Sequence, residues 1–220
     1  MNAEVFDADS TSQFRCGGSD GYLAWIDNSL GLRPTANTSL DTSVFDFQIF
    51  DDPKEMYEKI IEKNNQNFKS RLVAGYCWNW ISKKDPNEND IILEGGKLSA
   101  KWNLTQHGML WIEKDESISE IGCIHTCQGL ELDYVGVIIG PDLQLSGGHV
   151  ITEVNERAKS DASIKGLKKM MKENPAEATR RGREIILNTY RTLLTRGMKG
   201  CYVYCTDKEL ANHLLSLISA

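Results

Sequence analysis

The stretch IGCIHTCQGLELDYVGVIIGPDL, residues 121–143, governs how the whole chain reads. Two apolar runs, 121–125 and 135–139, have the length of strands, and the second, VGVII, is continuous rather than alternating. Continuous apolar strands belong in a sheet covered on both faces. His125 ends the first run, and between the runs lie Thr126, Gln128, Gly129, Glu131 and Asp133. Polar groups set into so apolar a segment cost free energy unless they meet solvent or a partner. A turn behind a strand leaves backbone N–H groups unpaired, and Gly129 lets another molecule approach them. Thr126 and His125 can donate to phosphate oxygens. Glu131 only accepts, which suits a pair of hydroxyls such as a ribose edge. A capped turn with solvated side chains fits the same residues, so chemistry alone leaves both readings open.

Outward from this stretch the chain alternates strands with helices. Tyr22, Leu23, Trp25, Ile26 and Leu30 make a helical stripe, and 44–50 alternates like a strand. Asp51 or Asp52 caps a helix with Pro53 in its first turn, and 71–78 reads as a second strand. Residues 83–89 form a polar loop, and the aromatic-rich 91–111 reads as short strands. The stretch 161–172 is helical and basic. Asn174-Pro175-Ala176-Glu177 opens a long helix that should stop at Gly197. A short strand, 201–205, and a last helix capped by Asp207 complete the chain. This order predicts an α/β fold with a mainly parallel sheet and helices on both faces. Ligands of such sheets gather at the carboxyl ends of the strands, so the polar cluster and Arg196 are expected at or near that rim.

The 220 residues fit one large domain or two small ones, and 40% hydrophobic against 25% charged residues argues against a disordered chain. No apolar run is long enough to cross a bilayer, and the N-terminus shows no secretory pattern, so the chain reads as cytoplasmic with no membrane partner. The net charge is −6, yet residues 157–199 hold 12 basic and 4 acidic side chains, an asymmetry that fits either a polyanion-facing patch or a solvated helix face. Cys123/Cys127 and Cys201/Cys205 share a C-x3-C spacing inside strand-like runs. Four residues of strand span about 13 Å, beyond what one zinc can hold, so these read as reduced buried thiols and no metal site is expected. No G-x4-G-K-[ST] phosphate loop is present; Gly95-Gly96-Lys97-Leu98-Ser99 lacks both the hydroxyl position and the strand-to-helix setting.

Arg196, in TLLTRGMKG, ends a helix, where the macrodipole favours a cation; the same placement lets an arginine reach a transferring phosphate. Arg15, in SQFRCGG, could do so from a loop. Trp80 and Trp102 are flanked by polar residues and are candidates to stack nucleic-acid bases, with core packing as the other reading; Trp78 sits on an apolar run and reads as core. Asp142, behind VGVIIGP, reads as a loop residue.

Three segments resemble helicase motifs in chain order. IHTCQGLELDYVGVI resembles motif V of superfamily 1 helicases, YRTLLTRGMKGCYVYC resembles motif VI, and SQFRCGG resembles the core of motif IV. Gln128 stands where motif V usually has Lys, and Gln13 where motif IV has Asn. Together they look most like the C-terminal half of the Schlafen-group-3-like DNA/RNA helicase domain family of P-loop NTPases. The resemblance implies that residues 1–220 are a single RecA-like second motor domain, with 157–183 as a basic helical insert and the first RecA-like domain, with its Walker motifs, elsewhere. ATP with Mg would bind between the two domains, its Mg ligands on the other one, and DNA or RNA would run across both. Arg196 and Arg15 would reach the γ-phosphate. Glu131, Gly129, Gln128 and Gln13 would meet the nucleotide, and His125 and Thr126 would lie near the nucleic-acid track. The isolated chain would then be inactive as an ATPase. The alternative is a non-enzymatic nucleic-acid-binding or regulatory module derived from such a domain.

Overall fold

The computed structural model describes residues 20–103, 111–127 and 129–219. Arg15, Gln13 and Gln128 lie outside the described residues. In chain order the elements are α1 (Asp20–Ser29), β1 (Leu40–Asp41), β2 (Asp46–Phe50), α2 (Pro53–Asn67), β3 (Ser70–Ala74), β4 (Ile91–Leu93), β5 (Leu98–Trp102) and β6 (Glu120–Gly122). Then come α3 (Ile124–Cys127), β7 (Leu132–Ile139), β8 (Leu143–Ser146), β9 (His149–Thr152), α4 (Leu167–Glu173), α5 (Pro175–Leu194), β10 (Gly197–Cys205), α6 (Lys208–Ser216) and β11 (Ile218–Ser219).

Seven strands form the central sheet in the order β2-β10-β7-β3-β6-β5-β4. All pairings are parallel except β4 on β5, an antiparallel edge. The alternation of strand side chains splits the core in two. Val135, Val137, Val203 and Val73 face α1 and α5, packing on Trp25, Ile26, Ile186 and Tyr190. Their neighbours Leu72, Ile138, Tyr202 and Tyr204 face the other way, onto Met56 and Ile60 of α2 and onto Trp102. The fold is therefore α/β and RecA-like in kind, with a mostly parallel sheet covered on both sides. Among the described residues no helix is long and apolar enough to cross a membrane.

The caps legible in the sequence form. Asp52 accepts from the Lys54 N–H, Asn174 from the Glu177 N–H and Asp207 from the Leu210 N–H, each offering a side-chain oxygen to an otherwise unpaired helix donor. Three expectations change. The strand expected over 121–125 is only the three residues of β6, and the chain then turns into α3, where the Cys127 N–H bonds the Cys123 carbonyl. The first cysteine pair thus sits on one helical turn rather than along a strand, so the distance argument against shared ligation does not apply to it. The helix expected over 161–172 is broken: a 3-10 turn at Ala162–Ile164 is separated from α4 by Gly166, whose φ of 88° is not helical. Finally, β3 ends at Ala74, and 75–80 is a loop.

Candidate functional site

Topology decides where the polar cluster lies. β6 and β7 both run parallel to β3, so the link from 123 to 131 returns from the carboxyl edge of the sheet to its amino edge. Arg196 precedes β10, whose Gly197 pairs with Leu132 at that same amino edge. The two motif segments meet there. The Leu132 N–H donates to the Arg196 carbonyl at 3.1 Å, and Arg196 Nη1 approaches the Leu130 carbonyl at 3.5 Å. The rim that joins Arg196 to Glu131 is therefore the amino edge of the sheet. The expectation of a carboxyl rim is corrected for this pair, because the loop crosses the sheet before it reaches Gly129.

Local chemistry fixes the arrangement. Gly129 has φ 81°, a left-handed turn that a side chain would strain, and the space above it is open. Glu131 beside it is exposed. Gly197 opens a register shift in β10, and a Cβ there would collide with the Gly200 carbonyl, so the residue after Arg196 must be glycine. Arg196 itself is only 6% exposed; its Nε donates to the Thr192 carbonyl at 3.1 Å, which holds the side chain along the last turn of α5. The macrodipole placement is met, and the guanidinium lies under the Gly129–Glu131 turn rather than projecting from it.

A cleft of about 430 Å³ opens at this edge, with Leu130, Ile112 and Phe68 as apolar lining and Lys69, Glu113, Asp115 and Glu131 as charged lining. Two residues that shape it were not legible as functional. Phe68 caps α2 at φ 57°, is 63% exposed, and donates its N–H to the Asn64 carbonyl. Arg71 is 1% exposed and spans the gap from β3 to the opposite wall, donating to the Ile112 and Lys114 carbonyls, to Ser117 Oγ and to Asn64 Oδ1. Burial lowers its pKa from the usual range, with Asp115 and Glu120 opposing the shift. An arginine in an apolar strand was the only sequence signal for this strut.

His125 and Thr126 leave the carboxyl end of β6. His125 is exposed on α3. The Thr126 hydroxyl is committed to Asn103 Oδ1 at 2.6 Å and contacts Cys123 Sγ at 3.4 Å. Cys127 is fully buried, and burial pushes its thiol well up. Among the described residues no group of three or more His, Cys, Asp or Glu side chains could hold a metal ion. The two tryptophan candidates separate. Trp102 has 0% exposure, its ring meets Tyr76, Trp78 and Trp80, and its Nε1 donates to the Trp78 carbonyl. It has no open face for a base, and its expected stacking role is corrected to core packing. Trp80 is half-buried, with the Lys83 ammonium 3.8 Å from its ring centroid.

Asp142 lies in the turn between β7 and β8, as read from the sequence, but is buried there. It has 0% exposure, accepts from Tyr190 Oη, and receives Arg157 Nη1 at 3.0 Å; Arg157 also holds Asp161 at 2.5 Å. Burial raises the Tyr190 phenol, and Asp142 adds to the shift. Burial alone would lower the Arg157 pKa, but Asp142 and Asp161 outweigh it and keep the cation charged.

The family description "Schlafen group 3, DNA/RNA helicase domain" matches residues 2–207. A Saccharomyces cerevisiae protein named "Uncharacterized protein YPL245W" is 30% identical over 218 residues, covering 92% of this chain and 46% of that protein. The chain thus spans about half the length of this relative. No solved structure matches. With motif-like segments meeting at one sheet edge and the family match running over nearly the whole chain, this protein is a helicase-like domain that belongs to the Schlafen group 3 DNA/RNA helicase domain family.

Proposed function

We propose that this domain is the second, arginine-bearing half of an ATP-dependent DNA or RNA motor, whose nucleotide site is completed by a RecA-like domain carrying the phosphate loop. The observation that carries the reading is the meeting of Arg196 with the Gly129–Glu131 turn at the edge of an open cleft. The residues fit a nucleoside in kind. Phe68, Ile112 and Leu130 offer apolar surface to a base, and Glu131 offers acceptors to ribose hydroxyls. Its volume of about 430 Å³ is within the range of small-molecule clefts. Glu113, Asp115 and Glu131 outnumber Lys69, so a triphosphate is repelled from the cleft itself and belongs toward Arg196 and the facing domain.

In this reading Arg196, aided by Arg15, stabilises charge on the γ-phosphate oxygens as phosphoryl transfer proceeds. Arg196 first turns out from beneath Leu130, exchanging its bonds to the Thr192 and Leu130 carbonyls for a phosphate. Gly129, Gln128 and Gln13 border the nucleotide, and Mg, with ligands on the other domain, supplies charge neutralisation when bound. His125 and Trp80 contact nucleic acid, while Thr126, tied to Asn103, links α3 to β5 and transmits movement between track and cleft.

The burial of Arg196 also favours a second reading, a binding module without turnover. One assay separates them: ATP hydrolysis by the longer protein that joins this domain to a Walker A domain, with and without single-stranded nucleic acid. The motor reading expects stimulation by nucleic acid. ATP-independent binding with no hydrolysis rejects it in favour of the binding module.

A further inference from the structure

The basic stretch resolves into two kinds of residue. Seven of its twelve cations are already engaged: Arg157 with Asp142 and Asp161, Lys169 with Glu173, Arg180 with Glu177 and Glu184, Arg191 with Asp27, Lys199 with Asp133, and Arg183 and Arg196 with backbone carbonyls. The side chains of Lys159, Lys165 and Lys168 have no carboxylate or hydrogen-bond partner among the described residues, and all three line one cleft of about 580 Å³. That cleft lies on the carboxyl side of the sheet. The Ala158 N–H bonds the Tyr76 carbonyl at 2.9 Å and the Lys159 N–H bonds Asn79 Oδ1 at 3.2 Å, both in the loop that leaves β3. It is thus at the opposite edge from Arg196.

The wall carrying these lysines is built rather than loose. Arg157, two residues before Lys159, is fully buried between Asp142, which follows β7, and Asp161. Taking three charges out of water is costly, and apolar residues would pack as well, so the cluster is best understood by what it positions. It clamps 157–161 to the end of β7 and fixes where the lysine backbone stands. Its two carboxylates leave one negative charge uncompensated, and three ammonium groups outweigh it. Unpaired cations held in a fixed concavity are an anion site. Trp80 follows Asn79, the residue that anchors Lys159, on the same loop, and a basic groove on a loop that bears a half-buried aromatic suits a single strand better than a free phosphate ion.

We infer that the Lys159–Lys165–Lys168 cleft is a phosphate-backbone subsite for single-stranded nucleic acid, separate from the Arg196 edge. The inference rests on the reading of the domain as part of a nucleic-acid motor, but it requires neither ATP nor the second domain. Arg157 is a positioning residue for it.

The test is fluorescence anisotropy of a labelled oligothymidylate with this chain across a salt series. Lys159→Ala/Lys165→Ala/Lys168→Ala is compared with Lys169→Ala/Lys172→Ala/Arg181→Ala, which removes the same charge from neighbouring surface. The cleft variant is expected to lose about 10- to 100-fold in affinity and to flatten the salt slope by about 2, since each single-strand phosphate contact contributes about 0.7. The comparison variant is expected to stay within about threefold. Equal losses in both variants, or none in the cleft variant, overturn the subsite and leave nucleic-acid binding elsewhere intact. Absence of binding by the unaltered chain at low salt also overturns it, while the ATPase assay still decides the motor reading. Because the lysines are exposed, matching thermal melts are expected, and a Lys165→Glu variant read the same way guards against a folding artefact in the triple change.

Discussion

Two tryptophans with similar polar neighbours end in opposite environments, and the difference is energetic. Trp102 is enclosed by Tyr76, Trp78 and Trp80, so Trp102→Ala opens a large cavity and should cost about 3–5 kcal/mol in urea unfolding. Trp80→Ala should cost less than half as much, because its ring keeps solvent on part of its surface. Equal losses would mean that Trp80 is core as well. The sequence could not separate the pair, because the flanking polar residues describe the chain beside a ring and not what covers it. Asp142 shows the same blindness: a carboxylate after a strand looks solvated until its partners, 15 and 48 residues away, are known. Arg196, by contrast, was legible in position, since a helix end before a glycine and a strand leaves few places for it. Its inward rotamer was not, because the Leu130 carbonyl comes from another segment.

At the scale of elements, helix starts were readable because capping is local: Asp52, Asn174 and Asp207 each bond an N–H two or three residues on. Strand ends were not. The apolar run from 121 reads as five residues of strand, yet β6 stops after three and Cys127 of α3 packs into the helix-covered face of the core. Nothing local marks that stop. The end of α2 carries a cost of its own. Phe68 holds φ 57°, a conformation that disfavours side chains, and its ring is mostly exposed. Phe68→Gly relieves the strain and should leave the protein as stable or more so by up to about 1 kcal/mol, while weakening any base that stacks in the cleft. A loss of several kcal/mol on that change would show that the ring is structural. Arg71 behaves oppositely. Its removal takes the guanidinium from the Ile112 carbonyl and one donor each from the Lys114 carbonyl and Asn64 Oδ1, which keep Ser117 and the Ser70 N–H, so Arg71→Ala should destabilise by about 3 kcal/mol and loosen the wall of the cleft.

For the whole molecule, the layered α/β plan followed from alternation of strands and helices, and the two-faced core follows from the period of two along β7 and β10. The edge at which the site forms did not follow, because it depends on the loop after β6 crossing back beneath the sheet. The same dry core sets a pH limit. Burial raises the phenols of Tyr190, Tyr202 and Tyr204 above 10.0 and the thiols of Cys77, Cys127 and Cys205 above 9.0. Raised folded-state values mean that these groups stabilise the fold fully below the unfolded values. As pH climbs past them, the unfolded chain releases protons that the folded one retains, and stability falls. Thermal midpoints should therefore hold to about pH 8 and drop steadily toward about pH 11. A flat profile over that range would contradict the burial of these groups.

The most direct measurement of the central claim is ATP turnover by the longer protein carrying Arg196→Ala, beside Arg196→Lys, at saturating single-stranded nucleic acid. The account predicts that kcat falls by about 10³-fold or more in the alanine variant, as expected for an arginine finger, with nucleic-acid affinity little changed. Turnover within a few-fold of the unaltered protein would contradict it and leave Arg196 as no more than the cap that holds Leu130 in place.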